Sequence, residues 1–374
     1  MTTPTSSPAS PTAGDTRVLT PIEVHRAAAL RQLPPADQLG FGRLFTDHVF
    51  RAEYAQETGW TGARIEPHGP VAIDPASAAL HYAQAVFEGL KAFRGTDGRV
   101  RLFRLMDHCR RMQTSAAALW MPPLDPEMLA EAITRLVEIE ERWVPATRGT
   151  ALYIRPLLYA TEAMLGVRAA MTYACTVLLS PVGSLYDGPA FAPTRLWVER
   201  TRIRAAPGGI GSVKAAANYA ASLTTSMEAR ARGYDQVLWL DAIEHRFLEE
   251  AGTMNVFVRL GDEVLTPPLS GTILAGVTRA TVLQLLRDWG ITATERAPSF
   301  DELAGAIASG GDVEVFGSGT AAVISPVGAL GSPDGDLTVR DGQPGPLAER
   351  LYAAITGIQH GDAPDPHGWT TIVA

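Results

Sequence analysis

The chain has 374 residues, 46% of them hydrophobic and 19% charged, with a net charge of −8. That length exceeds one ordinary core and points to about two domains, and the composition is that of a folded globular protein rather than a disordered one. The acidic balance argues against a nucleic-acid partner, and no apolar run reaches the roughly 18 residues of a membrane span.

Two cysteines, Cys109 and Cys175, stand without a CxxC motif. They argue against a disulfide framework or a cysteine-held metal, and no other metal site is expected; a reduced cytoplasmic setting fits. The N-terminus lacks the basic-then-apolar pattern of a secretory signal. Residues 1–16, rich in Thr, Ser, Pro and Ala, read as a disordered tail.

A first α/β part is expected over 17–186. Within it Pro126–Arg142 has apolar positions at helical spacing, and Ala151–Tyr159 and Ala174–Ser180 read as strands. Three prolines and two glycines after Ser180 suggest a loop between domains, placed at 187–199. A larger α/β part is expected over 200–374. Its strands are Arg195–Glu199, at the seam, Gln236–Asp241 and Met254–Leu260. Its helices are Ala220–Arg232, Thr278–Trp289 and Pro346–Ile358.

From Ala205 to Met227 the only charged residue is Lys214. A lysine among small and apolar neighbours loses hydration, which favours the neutral amine, the form that attacks a carbonyl to make a Schiff base. Pro207-Gly208-Gly209-Ile210-Gly211 before it permits a tight bend. The same lysine, read alone, suits a stem packed on the surface with its ammonium in water. Tyr219 offers a phenol to the oxygen of an aromatic cofactor, or is a core tyrosine. Glu249-Glu250 precede an apolar strand, where a carboxylate beside a pyridine nitrogen keeps that nitrogen protonated, unless the pair is a solvated turn. Gly276-Val277-Thr278-Arg279 opens a predicted helix, and Gly317-Ser318-Gly319-Thr320-Ala321 reads as a glycine loop; both suit an anion, as do ordinary caps. Arg111 either adds a bidentate phosphate contact or belongs to an exposed basic helix face. Tyr153 and Arg155 alternate on a strand and so share a face.

Together these segments resemble the branched-chain aminotransferases of the class IV, D-alanine aminotransferase-like, pyridoxal-phosphate fold. The resemblance runs over nearly the whole chain after about residue 40. Its markers are His81-Tyr82, Val86-Phe87-Glu88-Gly89-Leu90-Lys91-Ala92-Phe93, Leu152-Tyr153-Ile154-Arg155-Pro156, Val237-Leu238-Trp239-Leu240, Glu250-Ala251-Gly252-Thr253-Met254-Asn255, Gly276-Val277-Thr278-Arg279 and Phe316-Gly317-Ser318-Gly319-Thr320-Ala321.

The resemblance implies an α/β (α+β) fold of two domains with pyridoxal 5'-phosphate between them. It implies that Lys214 is the Schiff-base lysine and proton carrier, Glu250 the partner of the pyridine nitrogen, and Tyr219 the contact of the ring hydroxyl. Arg111, Val277, Thr278 and Thr320 would hold the phosphate. Phe87, Tyr153, Tyr186, Thr253 and Ala321 would wall the substrate pocket, with Thr253 also beside the cofactor. Arg155 would orient Tyr153 or meet the second carboxylate of glutamate. In a homodimer, Tyr82 and Val167 would cross into the neighbour's pocket. The implied reaction is amino-group exchange between L-leucine, L-isoleucine or L-valine and 2-oxoglutarate, giving branched 2-oxo acids and L-glutamate.

Three features depart from the family pattern. Ala215-Ala216-Ala217 stand where two glycines usually precede Asn-Tyr, Ala275 replaces a proline, and Ala322 and Ser325 stand where some animal members carry a redox CxxC. Rival readings are a D-amino-acid aminotransferase or aminodeoxychorismate lyase of the same fold, a nucleotide hydrolase, for which Gly-Lys-Ser/Thr is missing, and a cofactor-binding protein without turnover.

Overall fold

The computed structural model describes residues 21–122, 124–183 and 191–373. The expected tail at 1–16, Tyr186 and residues 187–190 of the expected junction lie outside them.

The first sheet is built from β1 (Glu23–Val24), β2 (His48–Ala55), β3 (Gly59–Pro67), β4 (Ala85–Phe87), β5 (Leu90–Arg94), β6 (Val100–Phe103), β7 (Ala151–Ala160) and β8 (Thr172–Val182). Their spatial order is β1-β3-β2-β8-β7-β5-β6, with β4 against β7. Helices α1 (Ala78–Tyr82), α2 (Leu105–Ala118) and α3 (Pro126–Ile139) interrupt them. The α3 helix starts where the Asp125 carboxylate accepts from the Glu127 amide, with Pro126 in the first turn. Leu129, Ile133, Leu136 and Val137 then fall on one buried face. It stops three residues short of Arg142, because Glu140 turns inward to bond His48 and the Asp47 amide.

The second sheet holds β9 (Thr194–Glu199), β10 (Gln236–Leu240), β11 (Leu248–Ala251), β12 (Met254–Leu260), β13 (Glu263–Thr266), β14 (Ala293–Glu295), β15 (Val313–Gly319), β16 (Val323–Ser332) and β17 (Gly335–Thr338). Their order is β11-β10-β9-β16-β15-β12-β13-β14, with β17 on β16. Helices α4 (Ala216–Ala231), α5 (Val277–Asp288), α6 (Phe300–Ala308) and α7 (Pro346–His360) alternate with these strands.

Three expectations need correction. The expected junction at 187–199 reaches too far, because the strand expected at Arg195–Glu199 forms as β9 from Thr194, an interior strand whose Leu196 and Val198 are buried; unpaired loop backbone there would leave polar groups without partners. The expected glycine loop at 317–321 is mostly strand. Gly317 and Gly319 lie in β15 with the Met254 side chain packed across them, so that a Cβ at either would crowd it, and only Thr320–Ala322 form the turn. The expected C-terminal part, 200–374, does not stay on its own sheet. A last strand, β18 (Thr370–Ile372), pairs antiparallel with β6 of the first sheet.

The two sheets share a core. Phe93, Phe103 and Tyr153 from the first pack in one cluster with Phe316, Val323, Leu351, Ile355 and Trp369. Helix α7 touches strands of both sheets. Its start is fixed by Glu314, a buried carboxylate that accepts from the Leu347 and Ala348 amides and pairs with Arg259 at 2.7 Å. Glu314→Ala would leave those amides without their acceptor and Arg259 with Asp312 as its remaining carboxylate partner. We expect a loss of about 2–4 kcal/mol in urea unfolding, and a change below about 0.5 kcal/mol would refute this account of α7.

Candidate active site

Lys214 lies at the seam, two residues before Ala216, where α4 begins. Its amide donates to Ser115 Oγ on α2 at 3.1 Å, and its carbonyl accepts from the Phe87 amide on β4 at 3.1 Å. A bridge between Val86 and Ala215 continues that contact. The backbone of this second-half segment is thus held by the first half. The lysine side chain is half-buried, its Nζ 3.0 Å from the Tyr219 hydroxyl and 4.9 Å from the Phe87 ring centre. Asn218 fixes the approach: its amide donates to the carbonyls of Ile210 and Val213. Gly211 lies so close to Thr272 and Ala205 that a side chain would overlap them. The alanines after Lys214 carry no backbone strain, since Ala215 has φ −91° and ψ 141° and α4 starts at Ala216.

Glu250, on β11, is buried. One of its oxygens accepts from the Leu274 amide at 3.0 Å and from Asn255 Nδ2 at 3.3 Å. The other lies 3.1 Å from Arg204 Nε, an ion pair in which the N–H does not point along the hydrogen-bond line. Burial pushes the Glu250 carboxyl up to about 7, against the opposing charge of Arg204 and the Leu274 hydrogen bond. A carboxyl titrating near neutrality beside a ring nitrogen is matched to share that nitrogen's proton.

An anion cradle lies nearby. Helix α5 opens at Gly276 with no side-chain cap, and the amides of Val277, Thr278 and Arg279 have no acceptor among the described residues. A Cβ on Gly276 would overlap Asn255 Oδ1, so the cradle and the Glu250 partner are packed together. Val277, Thr278, Gly319, Thr320, His108 and Lys91 line one narrow cavity of about 10 Å³.

Arg111 borders this cradle through a 3.1 Å bond to the Ala275 carbonyl, but it is not on an exposed basic face. Its Nε and Nη2 donate to both oxygens of the buried Glu88, at 2.7 and 2.9 Å. Burial alone would raise the Glu88 carboxyl. Arg111 and a hydrogen bond from His108 more than offset this and hold it well below the usual carboxylate range.

The substrate-wall residues gather as their spacing requires. Arg155 donates to the Tyr153 hydroxyl at 3.0 Å and stacks over the Phe87 ring at 4.6 Å; Phe87 meets Tyr219 edge-on at 4.7 Å. The Ala321 carbonyl accepts from Lys91 Nζ at 2.6 Å. Thr253 differs: it tops the β11–β12 hairpin, exposed and without a hydrogen bond to another described residue. Tyr82 and Val167 do not reach Lys214 of their own chain. They sit together, exposed, in a groove with Trp120 and Ala217.

Glu88, Lys91 and Asn255 stand inside the motifs that carry the resemblance without a role assigned to them, and nothing in the sequence singles out His108 or Arg204. Arg204 is adjacent to the uncharged stretch that drew attention to Lys214, but its pairing with Glu250 spans 46 positions and leaves no local signal. Among the described residues no group of three His, Cys, Asp or Glu could hold a metal ion. The amine, the phenol, the buried carboxylate and the cradle of free amides together fit pyridoxal phosphate.

Comparison with known proteins agrees. The amino-transferase class IV family matches residues 85–330. The chain is 49% identical over 352 residues to branched-chain-amino-acid transaminase 1 of Bacillus subtilis, covering 94% of this chain and 99% of that protein. Among solved structures it is similar to the branched-chain amino acid aminotransferase of Escherichia coli, with TM-score 0.73 and 28% identity over 88% of this chain and 99% of that one. It is also similar to the PLP form of the Thermobaculum terrenum enzyme, with TM-score 0.70 and 26% identity over 88% and 99%.

Glu250 makes a pH prediction for the apoprotein. Its folded carboxyl, at about 7, holds its proton more tightly than an unfolded one at 4.5. The stability it contributes is therefore complete below about pH 4.5 and is lost as pH rises through about 7. Wild-type apoprotein should lose melting temperature relative to Glu250→Gln between about pH 5 and 8. A gap that stays constant over that range would contradict the assignment.

Proposed function

This chain belongs to the class IV aminotransferases, and from that membership we propose how its residues carry out transamination. It is a pyridoxal-phosphate enzyme that exchanges the amino group of L-leucine, L-isoleucine or L-valine with 2-oxoglutarate. The observation that carries the assignment of roles is Lys214, pinned by its backbone across the seam with its amine on the Tyr219 hydroxyl.

When bound, the cofactor supplies an electron-poor ring that takes up the electron pair left by the substrate α-proton. Lys214 Nζ would take that proton from the substrate α-carbon and return it two bonds away, on the carbon beyond the substrate nitrogen, a role that suits an amine with no ion-paired carboxylate among the described residues. Tyr219 orients the amine. Glu250, set by Leu274, Asn255 and Arg204, holds the proton at the ring nitrogen. The free amides of Val277 and Thr278, with the hydroxyls of Thr278 and Thr320, bind the phosphate. Arg111, with two of its five N–H groups on Glu88 and one on the Ala275 carbonyl, keeps N–H donors for the same anion.

Phe87 and Tyr153 offer an apolar wall to a branched side chain, and Arg155 a cation for the second carboxylate of glutamate. The seam between the sheets is then the junction of a smaller N-terminal and a larger C-terminal domain. A cytoplasmic setting suits the two buried free cysteines, whose thiols burial pushes up, and no helix among the described residues is long and apolar enough to cross a membrane.

The working unit is a homodimer. Tyr82, Trp120 and Val167 are large apolar side chains left exposed along one groove, with the exposed Leu165 beside Tyr82, and such a groove suits a protein partner. Helix α4 buries only Thr225 and Ala229, so most of it also lacks a cover. In a dimer Tyr82 and Val167 complete the neighbour's pocket.

Two experiments test this. Borohydride reduction of the leucine-active holoenzyme, followed by peptide mapping, should place the pyridoxyl label on Lys214, and Lys214→Ala should abolish turnover; a label on another lysine overturns the mechanism. Val167→Glu should shift sedimentation from dimer toward monomer and cut leucine activity at least about tenfold, since a carboxylate buried in an apolar interface costs several kcal/mol. An unchanged dimer with unchanged kinetics would remove Val167 from the interface.

A further inference from the structure

Lys91 is a buried cation with an unusual setting. It lies on β5 opposite Tyr153 on β7, with only 7% of its surface exposed. Among the described residues no carboxylate pairs with it, and burial pushes its ammonium down to about 8, so it remains mostly charged at neutral pH. Its single hydrogen-bond partner among the described residues is the Ala321 carbonyl at 2.6 Å. An ammonium kept out of water with one neutral acceptor is costly, and the cost calls for a return in function.

The carbonyl it holds belongs to an equally unusual turn. Thr320–Ala322 connect β15 to β16 within the Gly319–Val323 pair. Val323, the first residue of β16, closes this turn at φ 64°, a backbone conformation that strains a β-branched residue. The amides of Thr320, Ala321 and Ala322 have no acceptor among the described residues. A strained turn with free donors is therefore fixed from behind by a charge. The Ala321 oxygen and the Ala322 N–H belong to one peptide unit, so a cation on the oxygen also strengthens that N–H as a donor.

We propose that Lys91 is a positioning residue for transamination: its ammonium clamps the Ala321 carbonyl and so aims and polarises the free amides of the Thr320–Ala322 turn toward the carboxylate of the incoming amino or oxo acid. The proposal rests on the transaminase reading. Lys91 sits between the cavity bordered by Thr278 and Thr320 and a second one bordered by Ala321, Ala322 and Gln359. Room for a longer cation at this place exists, and an arginine can make the same bond.

The test compares wild type, Lys91→Met, Lys91→Gln and Lys91→Arg as holoenzymes with saturating pyridoxal phosphate, leucine and 2-oxoglutarate. Losing a hydrogen bond to a charged group is expected to raise KM for both substrates about tenfold or more in Lys91→Met, with a smaller change in kcat. Lys91→Arg should stay within about threefold of wild type, and Lys91→Gln, which keeps a donor without the charge, should fall between. A Lys91→Met enzyme that melts earlier but keeps KM within about twofold would show that the lysine only satisfies a buried carbonyl, and overturn the proposal. If Lys91→Met does not fold, Lys91→Gln is judged by the same twofold limit. Inactivity of the wild type toward leucine would instead count against the transaminase reading.

Discussion

Charges taken out of water at the meeting of two sheets are the constraint around which this molecule is arranged. Three such groups lie near the seam, and each has a different solution. Glu88 is neutralised in full by a bidentate arginine and a histidine. Glu250 is neutralised in part, by one misaligned ion pair and two neutral donors, and so titrates near neutrality. Lys91 has a carbonyl alone. The completeness of pairing sorts these groups by use. The first anchors Arg111, the second remains able to exchange a proton, and the third keeps its charge for a neighbouring turn.

The seam also explains why the lysine works where it does. Lys214 belongs in sequence to the second half of the chain, but its backbone bonds to Ser115 and Phe87 of the first half. An amine that must meet a cofactor between two sheets is best held by both. Its approach loop is compressed until only glycine fits at 211, and Asn218 ties that loop to α4. The return of β18 to β6 and the contact of α7 with both sheets hold the halves at fixed separation. Positioning to within fractions of an ångström is what converts a set of ordinary side chains into a site.

Much of this was legible from residue order. Strand Met254–Leu260 was read to the residue, because Val256 and Val258 alternate with neighbours in a short apolar run between turn signals. Helix α5 and its free N-terminus were read from Gly276-Val277-Thr278, and Tyr153 with Arg155 from strand alternation. The glycines at 317 and 319 misled, since a glycine that admits a loop and a glycine that admits the Met254 side chain look the same in sequence. The strand at 195–199 is legible from its apolar alternation although the expected junction overlaps it, whereas the pairings of Arg204 with Glu250 and of Arg111 with Glu88 are not, because pairing across tens of residues has no period.

By itself the sequence determined the local chemistry: a solitary lysine in an uncharged stretch, a tyrosine five residues on, a carboxylate before an apolar strand, and a glycine-started helix. These follow from hydration, periodicity and backbone freedom, which act over a few residues. Only the tertiary structure decided which charges face one another, that Arg111 is committed to Glu88, that Glu250 is partly balanced by Arg204, and that Lys91 stands behind a strained turn. Coulomb and desolvation energies depend on distance and burial in space, and neither quantity exists until the chain has folded.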